Sequence, residues 1–377
     1  MRKLPGITNS RETVSMAAQE IEYVELYATD QSAVLDYYIG SLGFTRVAMS
    51  ARTAMNRHVM NRGAMNSVLL RQGKVQLIVT SGPGTAEFLD EHGDGIADIA
   101  LNCDDVAAVA DAAVLAGARV HATGVGHPVV TGLGGLSHTL LPMPARDHPV
   151  LPPGRCWAVA PPASVAGIGT ATGAESVTAA QPIGLLDHVA ICLEGDALAD
   201  HADAYLAAFG LARYSSEYVA VGDQAMDSIV VRSPSGGITF TLVAPDPLKS
   251  PGQLNDFLAR NGGPGVQHLA FAVDQLIPVV EEFSGRGVEF LSVPSGYYDK
   301  LAERLPTLSA QIGQLRASSV LADRDEWGHL LQVFTRSPHE RNTLFYEFIQ
   351  RQGAHGFGSA NIRALYEAVE RDRLTTG

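Results

Sequence analysis

A pattern of strand, helix and β-hairpin that opens at Ile21 opens again about 165 residues later, so the chain has to fold as two similar units. Residues 21–27 (IEYVELY) alternate in hydrophobicity as a strand does, and so do residues 185–193 (LLDHVAICL). Each run leads into a helical stretch closed by a glycine turn: residues 32–44 with Gly43, and residues 201–211 with Gly210. Two β-rich runs around a Gly-containing turn follow in each copy, at 64–80 and 225–243, and read as hairpins. Residues 88–101 answer 257–271, and apolar helical stretches follow at 104–120 and 274–291. The pattern predicts an α+β fold of duplicated β-α-β-β-β modules, two per half. The boundaries read from it are a tail at 1–20, a first domain at 21–145, a Pro/Ala/Gly-rich linker or surface loop at 146–182, and a second domain at 183–377.

The two copies differ at the centres of their strands. His188 and His268 stand in the second copy where Tyr23 and Asp98 stand in the first. A further strand-like run at 343–353 (TLFYEFIQRQG) carries Glu347 among apolar and aromatic residues. A carboxylate buried there is costly unless a positive group meets it, either an arginine such as Arg351 or a metal ion. The spacings of 80 and 79 residues from His188 to His268 to Glu347, with both histidines confined to one half, tip the balance to metal. Two imidazoles and a carboxylate hold one face of an octahedral ion and leave three positions open, the arrangement of non-haem Fe(II) oxygenases. A hydrolytic zinc site commonly carries a short motif such as HExxH, which this chain lacks; spacing alone does not choose among Fe, Mn and Zn. His92, His121, His127, His138 and His148 share no ligand spacing and read as surface or packing residues.

Bulk properties exclude several partners. A formal net charge of −13 argues against nucleic acid and anionic membrane, and no run of 18 apolar residues offers a membrane span. Cys103, Cys156 and Cys192 are odd in number and widely spaced, which fits a reduced, cytoplasmic protein without disulfides. The sequence is compatible with a homodimer but does not set the oligomeric state.

Residues 265–271 (GVQHLAF), 320–338 (VLADRDEWGHLLQVFTRSP), 344–353 (LFYEFIQRQG) and 356–370 (GFGSANIRALYEAVE) resemble the C-terminal half of the 4-hydroxyphenylpyruvate dioxygenase and 4-hydroxymandelate synthase family. The resemblance runs over nearly the whole chain, weakest in the first 20 residues and the linker. It implies two vicinal-oxygen-chelate (glyoxalase-like) open-barrel domains, the first structural and without metal, the second catalytic. It implies Fe(II) on His188, His268 and Glu347, with 4-hydroxyphenylpyruvate and O2 as substrates. It also implies substrate contacts from Ser228, Gln267, Gln332, Phe334, Phe345 and Phe357, with Thr241, Val243 and Ile362 completing the wall. Strand alternation turns Gln267 away from the His268 side, so its reaching the pocket needs a local twist. Ile362, Leu365, Tyr366 and Val369 recur at helical spacing, and the resemblance makes that helix a lid. Where the dioxygenase usually has Asn and Phe this chain has Val243 and Ile362, which resembles the synthase and implies benzylic hydroxylation to 4-hydroxymandelate. Homogentisate formation is the alternative. A binding protein of the same superfamily without turnover is a third reading, which the intact triad speaks against.

Overall fold

Backbone pairing shows the duplication strand by strand. The computed structural model describes residues 17–50, 65–122, 126–144, 151–159, 181–358 and 360–364. The first half builds β1 (Ala18–Tyr27), β2 (Thr45–Ser50), β3 (Asn66–Gln72), β4 (Val75–Ser81), β5 (Gly95–Cys103), β6 (Arg119–Ala122), β7 (Pro128–Leu133), β8 (Leu136–Pro142) and β9 (Trp157–Val159). They form one sheet in the order β6-β7-β8-β5-β1-β4-β3-β2-β9. The second half builds β10 (Ile183–Cys192), β11 (Ala212–Val221), β12 (Gln224–Arg232), β13 (Thr239–Pro245), β14 (Gly265–Val273), β15 (Leu321–Arg324), β16 (His329–Phe334) and β17 (Phe345–Gln352). Their order is β11-β12-β13-β10-β14-β17-β16-β15. In each half the opening strand runs parallel to the second hairpin strand and antiparallel to the next (β1 with β4 and β5; β10 with β13 and β14). A parallel neighbour closes each set, β8 on β5 and β17 on β14.

Two expected boundaries shift. The first strand starts at Ala18, inside the stretch expected as a tail, because Ala17 and Ala18 are buried. From the expected linker, β9 extends the first sheet through β2, with Trp157 packed on the apolar cluster around Tyr23 and Leu69.

The central strand pairs are distorted at matching places. Along β10 and β14 the register jumps so that Gly184, Asp187 and Gln267 are extra, unpaired residues; along β1 and β5 the same jumps leave out Gln19, Glu22 and Ala97. Each is a β-bulge, which bends the strand and re-aims the side chain it carries.

The halves are fused by a continuous core. Tyr38 and Tyr346 share a hydroxyl hydrogen bond of 2.7 Å between fully buried rings. His138 packs edge-on against Tyr205 and Phe209, and burial pushes it down to about 4, a neutral packing histidine as its spacing suggested. At the β3–β4 turn, Gln72 Oε1 accepts from Ile183 N at 2.8 Å and Lys74 N donates to Gly184 O at 2.8 Å. Gly73 there has φ +54°, and a Cβ on it would lie 2.4 Å from that carbonyl oxygen, so the approach requires glycine.

Candidate metal centre and substrate cavity

Three adjacent strands at the middle of the second sheet carry the triad. Ala270 on β14 pairs with His188 on β10 on one side and with Glu347 on β17 on the other. His268 lies two residues along β14, on the same face. Ala190 and Ala270 keep that face low, leaving room between the longer side chains. His188 Nε2 is 3.3 Å and His268 Nε2 3.4 Å from Glu347 Oε2, and the two Nε2 atoms are 3.4 Å apart. Adjacent ligands of one ion with bonds of about 2.1 Å stand roughly 3.0–3.4 Å apart, so the three atoms fit one ion. They are the one cluster of three metal-ligating side chains among the described residues.

The two bulges set the histidine tautomers. Asp187 Oδ1 is 3.0 Å from His188 Nδ1, and Gln267 Oε1 is 3.2 Å from His268 Nδ1. Both partners accept, so each Nδ1 donates and each Nε2 turns a lone pair inward. Two lone pairs and a carboxylate oxygen then converge on one point, which a cation satisfies. Gln267 thus reaches the cavity through its bulge, the local twist that strand alternation alone denies it.

Without metal, a proton takes the cation's place. Burial opposes charge on His188, but the Glu347 carboxylate and Asp187 outweigh it and raise the imidazole to about 9. Burial likewise works against ionised Glu347, and the two histidines overcome it, holding the carboxyl down to about 2. His268 moves the other way, lowered by burial. One proton sits at His188 while His268 stays neutral.

Arg351, the arginine that could have neutralised Glu347, pairs with Asp187 instead. Its Nε and Nη2 donate to the two Asp187 oxygens at 2.7 Å each. Burial opposes ionised Asp187, yet this fork and His188 hold it well below the usual carboxylate range. Arg351 Nη1 also donates to Gly356 O at 2.6 Å, and its guanidinium lies 5.3 Å from the Phe357 ring centre.

All the residues expected at the site line one cavity. Beside the triad these are Ser228, Thr241, Val243, Gln267, Gln332, Phe334, Phe345, Phe357 and Ile362. Met226, Gln253 and Leu254 line it as well and carried no signal in the sequence. Phe345 stacks on His268 at 5.0 Å, and Phe357 meets His188 edge-on at 5.3 Å. Val243, Met226, Leu254 and Phe257 form one apolar cluster on which Ile362 packs. Thr241 Oγ1 is buried without a hydrogen-bond partner. The terminal helix is described at 360–364, where Ile362 and Ala364 face inward; Leu365, Tyr366 and Val369 of the expected stripe lie outside the described residues.

Comparison with known proteins agrees over the full length. Residues 13–141 match the model of the hydroxyphenylpyruvate dioxygenase N-terminal domain, and residues 187–303 match that of the glyoxalase/bleomycin resistance protein/dioxygenase superfamily. The chain is 31% identical to 4-hydroxyphenylpyruvate dioxygenase of Pyricularia oryzae over 77% of this chain and 71% of that one. It is 28% identical to the Yarrowia lipolytica dioxygenase over 98% of this chain and 95% of that one. A solved variant of 4-hydroxymandelate synthase from Streptomyces coelicolor is 46% identical, covers 95% of this chain and 100% of its own, and superposes with a TM-score of 0.80. The chain belongs to the 4-hydroxyphenylpyruvate dioxygenase and 4-hydroxymandelate synthase family. It is an enzyme of the non-haem iron dioxygenase class.

Within this family fold, the first half's cradle is filled. Tyr23 stands where His188 stands, Asp98 where His268 stands, and Thr139 where Glu347 stands, counted from the β5–β8 and β14–β17 registers. Tyr23 and Thr139 hydroxyls donate to Asp98 Oδ2 at 3.3 and 2.8 Å. Burial, with nearby Glu25, raises Asp98 to about 7. Glu25 is met by Arg155, which the segment before β9 delivers into the cradle.

Proposed function

We propose that this enzyme is a 4-hydroxymandelate synthase, converting 4-hydroxyphenylpyruvate and O2 to 4-hydroxymandelate and CO2. In that reading His188, His268 and Glu347 hold Fe(II), which when bound supplies O2 activation and oxidative decarboxylation of the 2-oxo acid. One oxygen atom of O2 ends in the new carboxylate and the other in the benzylic C–H bond. The protein's part is to hold the substrate so that the methylene, and not the ring, faces the metal.

The observation that carries this reading is the apolar pairing of Val243 with Ile362 in one wall cluster. An amide at 243 would give the ring's hydroxyl a fixed partner at that wall. Valine gives it none, so shape alone seats the ring there, and a shift of about 1 Å decides which carbon is attacked. Thr241 Oγ1, buried and unpartnered, is the polar atom free to meet a substrate oxygen. Phe334, Phe345, Phe357 and the helix at 360–364 give the cavity further apolar lining, which limits water at the site.

The test is product analysis of the purified protein with Fe(II), ascorbate, O2 and 4-hydroxyphenylpyruvate. The two candidate acids are isomers, so retention time and fragmentation against standards separate them where mass does not. 4-Hydroxymandelate is expected. Homogentisate would overturn the synthase reading and favour the activity by which the curated relatives at 28–31% identity are named.

A further inference from the structure

The carboxylate of Glu347 is held from behind by a chain of side chains that begins on the terminal helix. Gln332 Nε2 donates to Glu347 Oε1 at 2.8 Å, the oxygen not turned to the histidines. Asn361 Nδ2 donates to Gln332 Oε1 at 2.8 Å. Tyr297 Oη lies 2.8 Å from both Asn361 Oδ1 and Ala322 O, and because Arg304 Nη2 already donates to Ala322 O, its single proton serves Asn361 Oδ1. Gln332, Asn361 and Glu347 are all at most 3% exposed, so water does not substitute for a lost link. The approach of the helix is close: Gly358 has φ +77°, and a Cβ there would lie 2.4 Å from Gln332 Oε1 and 3.3 Å from Asn361 Nδ2.

The direction of every bond in this chain follows from its first member. A carboxylate that ligates a cation only accepts, so Gln332 has to present its amide nitrogen to Glu347 and its oxygen outward. Asn361 must then present its own nitrogen to that oxygen and its oxygen to a donor, which the Tyr297 hydroxyl supplies. The Glu347 carboxylate sets the Gln332 flip, and the Asn361 amide holds the outward oxygen in place.

We propose that Asn361 is a positioning residue for the metal ligand Glu347, acting through the Gln332 amide, so that seating of the terminal helix is part of what makes the metal site tight. The inference rests on the metal reading above and extends it to a residue that touches neither metal nor cavity. It also gives Gln332 a task beyond lining the cavity.

The test compares Asn361→Asp with Asn361→Ala in the full-length, metal-stripped protein. Co(II) and Fe(II) affinities are read by chelator competition, and ligand geometry by the visible absorption of bound Co(II). Asn361→Asp keeps the shape and cannot donate; it is expected to weaken both ions about 10- to 100-fold and to change the Co(II) spectrum. Asn361→Ala removes the link without imposing the wrong polarity and is expected to lose less. A purely structural role lowers stability to urea in both variants and leaves metal affinity and the Co(II) spectrum of the folded protein unchanged. Unchanged affinity and an unchanged Co(II) spectrum in both variants overturn the proposal. Should Asn361→Asp fail to fold, Tyr297→Phe decides. It removes the donor to Asn361 and is expected to weaken Co(II) about threefold or more; no change overturns the proposal. If the unaltered chain takes up neither ion, the metal reading itself falls, a result distinct from loss of the relay alone.

Discussion

Replacing Arg351 with leucine tests whether the Asp187–Arg351 pair is a structural fastening of the site. Asp187 is 9% and Arg351 24% exposed as side chains, and the fork makes two 2.7 Å bonds. Removing one partner of a buried pair and leaving the other charge alone costs about 3–5 kcal/mol. Arg351 is partly exposed and His188 stays 3.0 Å from Asp187, so the expected loss falls below that range, about 2 kcal/mol, or roughly thirtyfold in the folding equilibrium. The measurement is urea unfolding at pH 7 with chelator present, so that metal does not mask the effect. Asp187 is held below the usual carboxylate range in the folded protein, so its stabilisation is complete above its unfolded value of about 3.9 and is lost as pH falls through the lower folded value. The deficit of Arg351→Leu should therefore be full at pH 7 and shrink below about pH 4. Adding Asp187→Asn should recover part of it, because the buried carboxylate left with one partner is then gone. A loss under about 1 kcal/mol at pH 7, or an equal deficit at pH 3, would refute the reasoning.

Other expectations follow from the same geometry. Glu347→Ala should lose stoichiometric metal, read by elemental analysis, while circular dichroism stays unchanged. In the metal-free protein, His188 at about 9 stabilises fully below its unfolded value of about 6.5 and less as pH rises through 9, so thermal stability should decline over that interval. Metal must displace that proton, so Co(II) affinity should climb about tenfold per pH unit up to about pH 9, measured by chelator competition. Tyr346→Phe removes the hydroxyl shared with Tyr38 and His339 in the buried seam and should cost about 1–3 kcal/mol by urea unfolding. Val243→Asn combined with Ile362→Phe should move product from 4-hydroxymandelate towards homogentisate on the same chromatogram.

Much of this was readable before any coordinates, and the reason is period. Strand alternation and the repeat placed His188, His268 and Glu347 in matching strands, and strands of one sheet share a face. The functions of Asp187 and Gln267 were hidden for the same reason, since a bulge breaks the alternation on which the reading depends and leaves no mark in composition. Asn361 carried no signal in the sequence, because nothing local says that Gln332 lies opposite it. Residues 292–319 gave no repeat mate to compare; there the chain builds the helix Ser295–Arg304 that delivers Tyr297.

The bulges occur in both halves, although only the second half brings three ligating side chains together among the described residues. In the first half the backbone keeps those distortions around Tyr23 and Asp98, held by hydrogen bonds, apolar packing and the Glu25–Arg155 pair. The geometry is therefore a property of the polypeptide and does not wait for an ion. Such a chain can finish folding before it is loaded, and losing its iron to a chelator or to oxidation leaves an empty socket that can be refilled. The contrast is with small domains that a metal must crosslink before they fold at all. Inactivation by metal loss is therefore expected to be reversed by resupply without refolding, read as activity regained on adding Fe(II) to stripped protein.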